Sequence, residues 1–128
     1  MINNSKQNRK GKTMKTANEL TREQKLEIAN TIIDQFGGGK FQVMTGSRDF
    51  VALDSGVQFK VGRNSRGINK VTVEYDRASD LYNMKFEKIS FSKKTFRAKR
   101  KEVANYNSVY GDQLAELFTD ATGLYTRL

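Results

Sequence analysis

The sequence predicts an α+β domain: an antiparallel five- to six-stranded meander with an N-terminal and a C-terminal helix packed on one face. Three observations lead there. Apolar residues recur at helical spacing near both ends of the chain, and between them the apolar period falls to two. The connectors between the alternating runs are short and rich in Gly, Asp, Asn and Ser, as antiparallel turns require. A sheet with one apolar face and two amphipathic helices complement each other as layers. The chain has 128 residues, which fits one domain, expected over residues 18–128, large enough to bury a core without disulfides or metals.

Residues 1–17 are rich in Asn, Lys, Gln and Gly and nearly free of apolar side chains. Such a segment buries too little surface to offset its ordering entropy, so a disordered basic arm is expected. Order begins near Asn18 or Thr21, and Thr21 stands three residues before Gln24 in a capping-box pattern that opens the first helix. Leu26, Ala29, Ile32, Ile33 and Phe36 form its apolar stripe, and Gly37-Gly38-Gly39 ends it.

From Lys40 to about Ile89 the alternation predicts five strands. Their apolar positions are Phe41 and Val43, then Phe50 to Leu53, then Val57, Phe59 and Val61. Val71, Val73 and Tyr75 follow, and Tyr82, Met84 and Phe86 complete the set. Thr45-Gly46-Ser47, Asp54-Ser55-Gly56, Gly62 to Gly67 and Asp76 to Asp80 supply the turns. The segment from Phe91 to Lys101 fits a sixth strand, with Arg97, Lys99 and Lys101 on one face at about 6.7 Å spacing. It also fits a helix that would gather Lys93, Lys94, Arg97, Arg100 and Lys101; its position as a hairpin return favours the strand. A final helix from about Asn107 to Thr122 carries Tyr110, Leu114, Leu117, Phe118 and Ala121, with Gly123 as its cap.

The charge is patterned. The formal net charge is +9, yet 11 of the 23 lysines and arginines lie in two stretches without an acidic residue. One is Lys6, Arg9, Lys10, Lys12 and Lys15; the other is Lys93, Lys94, Arg97, Lys99, Arg100 and Lys101. The rest of the chain holds 12 basic against 14 acidic residues, close to neutral. Concentrated, uncompensated positive charge attracts polyanions, nucleic acid above all.

Neither histidine nor cysteine occurs. That excludes zinc fingers, iron–sulfur clusters, Ser-His-Asp and Cys-His nucleophilic sites and a histidine general base. Gly37-Gly38-Gly39-Lys40 has the look of a phosphate loop but the wrong context. A phosphate loop follows a strand and opens a helix, whereas these glycines follow a helix and no Ser or Thr succeeds the lysine. Asp76, Asp80, Asp112, Glu116 and Asp120 are spaced as turn residues and a solvated helix face, so no metal, cofactor or catalytic role is expected of them. Arg48, in Ser47-Arg48-Asp49, and Arg63 and Arg66, in the turn from Gly62 to Gly67, are secondary phosphate-binding candidates, since guanidinium forks match phosphate oxygens. No run of apolar residues is long enough to span a bilayer.

The strings GGGKFQVMTGSRDF, GINKVTVEYDRASDLYNMKFEKI and VYGDQLAELFTDATGLYTRL, within Ile32 to Leu128, resemble a group of small proteins that recur in bacteriophages and integrated mobile elements. The resemblance implies a phage-encoded protein in the host cytoplasm. The group has no assigned activity, so the resemblance carries over no functional residue. The basic arm and the lysine density at 93–101 depart from the group's pattern.

The expectation is therefore a non-enzymatic nucleic-acid-binding protein acting through backbone electrostatics, with strandedness open. Lys93, Lys94, Arg97, Lys99, Arg100 and Lys101 would hold phosphates, and Phe91 and Phe96 would stack on bases or lie in the core. Edge protection by lysine is a competing explanation for the charge. The alternative function is a protein-interaction module that binds or inhibits a host or phage protein.

Overall fold

A computed structural model describes residues 21–126. The basic arm expected over residues 1–17 lies outside that range. Three helices and five strands follow in the order α1 (Arg22–Phe36), α2 (Gly38–Thr45), β1 (Arg48–Leu53), β2 (Gly56–Lys60), β3 (Lys70–Asp76), β4 (Leu81–Ser92), β5 (Arg97–Val109) and α3 (Leu114–Thr122). The sheet is an antiparallel meander with spatial order β1-β2-β3-β4-β5.

The capping box at the start of α1 is complete. The Gln24 amide donates to Thr21 Oγ1 at 3.1 Å, and the Thr21 amide donates to Gln24 Oε1 at 2.9 Å. Gly37, at φ 125°, stops the helix in a conformation that side chains disfavour. Ala29, Ile32 and Phe36 are buried against one face of the sheet, whose contribution is Val57, Phe59, Val71, Val73, Tyr82, Met84 and Phe86. Leu114, Phe118 and Ala121 of α3 complete the core.

Two element assignments change. Phe41 and Val43 do not open the sheet, because Gly38–Thr45 is helical and the chain turns back at Gly37 alone. In a half-buried strand Phe41 and Val43 would share the core face; instead Phe41 is fully buried and Val43 is 85% exposed. The buried pair is Phe41 and Thr45, one helical turn apart. The second change is at the other end. β5 runs on to Val109, and α3 starts only at Leu114 after a 3-10 turn at Gly111–Gln113. Tyr110 accordingly falls outside the helical stripe and is exposed. With the first expected strand lost and the basic segment forming β5, the sheet has five strands.

Asn69 determines where the sheet narrows. Its side-chain amide donates to the Ile89 carbonyl at 2.7 Å, and the Ile89 amide donates to Asn69 Oδ1 at 2.8 Å. A side chain thus takes the ladder position that a further β3 residue would occupy. The last β3–β4 register pair is Lys70 with Glu87, whereas β4 and β5 continue pairing as far as Ser92 with Arg97. Five register pairs, from Lys88–Lys101 to Ser92–Arg97, stand as a two-stranded hairpin roughly 15 Å long.

Candidate functional site

This hairpin gathers the basic segment. From Lys88 to Lys101 it carries seven cations, Lys88, Lys93, Lys94, Arg97, Lys99, Arg100 and Lys101, and no carboxylate. The pleat sorts them. Lys88, Lys101, Lys99 and Arg97 share the face that continues from Phe86, beyond the reach of the helices. Lys93 and Lys94 lie in the turn. Arg100 lies on the opposite face, diagonal to Glu87, and its Nε is 3.3 Å from the Glu87 carboxylate. Glu87 is 3% exposed, so Arg100 neutralises a buried charge, a role its place in the sequence does not reveal.

Among the described residues, Lys88, Lys93, Lys94, Arg97, Lys99 and Lys101 have no ion-pair partner. Lys88 and Lys101 are direct cross-strand partners. Like charges in that relation destabilise a sheet, so the fold itself gains nothing from them. Lys88, Ser90, Lys99, Arg100 and Lys101 line one shallow depression. Lys88 escapes a reading confined to Phe91–Lys101, although the acid-free window begins just after Glu87.

The secondary candidates separate. Arg63 and Arg66 are exposed in the loop between β2 and β3. Asn64 folds that loop: its amide donates to the carbonyls of Gly62 at 3.0 Å and Ile68 at 2.6 Å. Gly67 then lies against the Lys88 side chain, where an added Cβ would meet Lys88 Cδ at 3.3 Å. The loop thus borders the basic hairpin. Arg48 does not, for it opens β1 at the opposite sheet edge and donates to the Gly46 carbonyl at 3.1 Å.

Both aromatic side chains of the hairpin are out of the core. Phe91 is 62% exposed and Phe96 78%. Phe96 also has φ 55°, in the left-handed region, where a bulky residue is unusual. The preceding hairpin supplies the comparison. Its turn after Asp76 has the same length, and Asp80 holds the corresponding left-handed position at φ 58°. The amides of Asp80 and Phe96 donate to the carbonyls four residues back, Asp76 at 2.8 Å and Ser92 at 2.8 Å. Aspartate tolerates that conformation; phenylalanine gives no such local advantage.

The acidic residues are elsewhere. Asp76 accepts from the Ala78 amide and the Ser79 hydroxyl, and Asp80 accepts from Tyr75. Asp112, Glu116 and Asp120 border a separate depression with Gln35 and Tyr125. Among the described residues no group of three or more such side chains is placed to hold a metal ion, and no helix is long and apolar enough to cross a membrane. The chain matches no family model, no curated protein and no solved structure.

Proposed function

We propose that this chain is a non-enzymatic nucleic-acid-binding protein of a bacteriophage or mobile element, acting in the host cytoplasm, and that the β4–β5 hairpin grips phosphates. One observation carries the reading: seven cations on a projecting hairpin, only one of them ion-paired among the described residues, with like charges directly opposed at Lys88 and Lys101. Edge protection accounts less well for this arrangement. It explains lysines on β5, an outer strand, and Lys88, where β4 has lost its β3 neighbour, but not the turn residues Lys93 and Lys94 or two exposed rings.

Phosphate contacts release counterions, so affinity falls with salt in proportion to the number of contacts. Binding of a labelled oligonucleotide is measured across a salt series for the wild type and for Arg97, Lys99 and Lys101 changed to Gln. Each substitution is expected to weaken binding to all sequences alike and to reduce the salt slope by about one. A wild type that binds neither single strand nor duplex at low salt overturns the proposal and directs attention to a protein partner. An unaltered slope in the triple variant moves the contact to other cations.

A further inference from the structure

The face of the hairpin that bears Phe91 leads onto the face of the sheet that no helix covers among the described residues. There the register aligns Arg48 with Lys60 and Lys60 with Lys70, and Lys70 is in turn opposite Glu87. Three basic residues thus stand side by side across three strands. Asp49 compensates Lys60 at 3.3 Å, while Lys70 has no ion-pair partner among the described residues. Arg48, Val51, Gln58, Lys60, Lys70 and Ile89 border a groove beside this row. Ile89 is two residues from Phe91 on the same face, so groove and ring are contiguous.

We propose that this face is a track for single-stranded nucleic acid, with Phe91 stacking on a base along it, Phe96 stacking on another at the hairpin turn where the track ends, and Lys70 and Lys60 meeting the backbone. The proposal rests on the hairpin being a nucleic-acid site and adds what kind of nucleic acid it takes. In a duplex the base faces are stacked inside, out of reach of a phenyl ring; in a single strand they are available, and stacking on an aromatic side chain is tolerant of sequence. Phosphate binding alone gives no reason to hold a phenylalanine exposed at a left-handed backbone position. A lipid surface suits the pattern less, because the rings are separated by Lys93 and Lys94 and do not form one apolar tip.

The test compares a thymidine single strand with a duplex of equal length, using wild type, Phe91→Ala, Phe96→Ala and Lys70→Gln. Single strand is expected to bind more tightly, and each lost ring to weaken it about tenfold with an unaltered salt slope and melting temperature. Lys70→Gln is expected to reduce the slope instead. The chain has no tryptophan, so Phe96→Trp adds a lone indole that retains affinity and is quenched when a base stacks on it. Unchanged single-strand affinity in both alanine variants, with the hairpin glutamine variants still impaired, overturns the track and leaves the hairpin reading intact. Binding to anionic phospholipid vesicles that Phe96→Ala abolishes, with no oligonucleotide bound by wild type, overturns both.

Discussion

Phe41 and Phe118 hold equivalent places in two copies of one local pattern, and their rings meet edge to face at 5.3 Å. Each starts a Phe-x-x-x-Thr-Gly segment, Phe41 to Gly46 and Phe118 to Gly123. In each, the buried threonine donates back to the phenylalanine carbonyl, Thr45 at 2.7 Å and Thr122 at 2.8 Å. The following glycine is left-handed, at φ 68° for Gly46 and 80° for Gly123. Two helices of different origin in the chain therefore end alike and place their rings together, with Phe36 and Phe59 closing the cluster.

Removing either ring should cost about 3–5 kcal/mol, because both are fully buried and the cavity cannot collapse from one side alone. Phe118→Ala and Phe41→Ala, followed by denaturant unfolding, check this. A loss of only tenths of a kcal/mol would mean that the two helix ends do not meet in the core.

The same logic extends to the helix stripes. Ile32 and Leu114 are both fully buried, on α1 and α3, and truncation to alanine should cost about 2–5 kcal/mol at each. Thermal or chemical denaturation is the measurement. Normal stability in either variant would detach that helix from the sheet.

Those two stripes were legible in the sequence because apolar residues recur at a 3.6 period over 29–36 and 114–121, and the capping box at Thr21 marked the first start. The expected start of the second falls too early and takes in Tyr110. The strands from Phe50 to Phe86 were legible for the corresponding reason. Residues 38–45 were not: over eight residues, Phe41 and Val43 satisfy a period of two as readily as Phe41 and Thr45 satisfy a helical one. Triple glycine gave no help, since only Gly37 breaks the helix while Gly38 and Gly39 begin the next. The candidate site was visible as charge, but its division was not. Which face Arg100 takes, and that Glu87 is buried beneath it, depend on register, a long-range property. The exposure of Phe91 follows from the face it takes on β4, and that of Phe96 from its place in the turn, which again depend on register.

Asn69 is a place to test the base of the hairpin. Its amide group donates to Ile89 and its carbonyl accepts from Ile89, so Asn69→Asp loses the donor and Asn69→Ala loses both bonds. A cost of about 1–2 kcal/mol is expected, together with faster hydrogen exchange at the Ile89 amide. If the amide exchanges at the wild-type rate, the ladder does not depend on this side chain.

Tyr75 and Tyr82 make a prediction about alkaline pH. A hydrogen bond to the Asp80 carboxylate, aided by desolvation, raises the pKa of Tyr75 above its ordinary value. Burial raises that of Tyr82, against an opposing hydrogen bond with Gln35. A raised acid holds its proton more firmly in the folded chain. Its stabilisation is whole below the unfolded value of about 10 and is lost as pH rises through the folded value. Ultraviolet titration should find two tyrosines ionising late, and stability should fall less steeply above about pH 10 in Tyr75→Phe than in wild type. Equal slopes would remove the Tyr75–Asp80 bond from the account.

Neighbouring cations of β5 should behave differently when neutralised. Lys99 is exposed, has no ion-pair partner among the described residues, and faces Ser90 across the ladder. Lys99→Gln should therefore leave stability within about 0.5 kcal/mol of wild type. Arg100 is the ion-pair partner of a carboxylate that is 3% exposed. Arg100→Gln strands that charge, and a buried pair broken on one side loses about 3–5 kcal/mol. The arginine is itself 59% exposed, so solvent screens the pair and about 1–3 kcal/mol is the expected loss. Adding Glu87→Gln to Arg100→Gln should recover part of it, because the stranded charge is then gone. Denaturant unfolding of the four proteins decides the matter. Should Arg100→Gln prove as harmless as Lys99→Gln, Glu87 has another partner and Arg100 rejoins the cations free to meet phosphate.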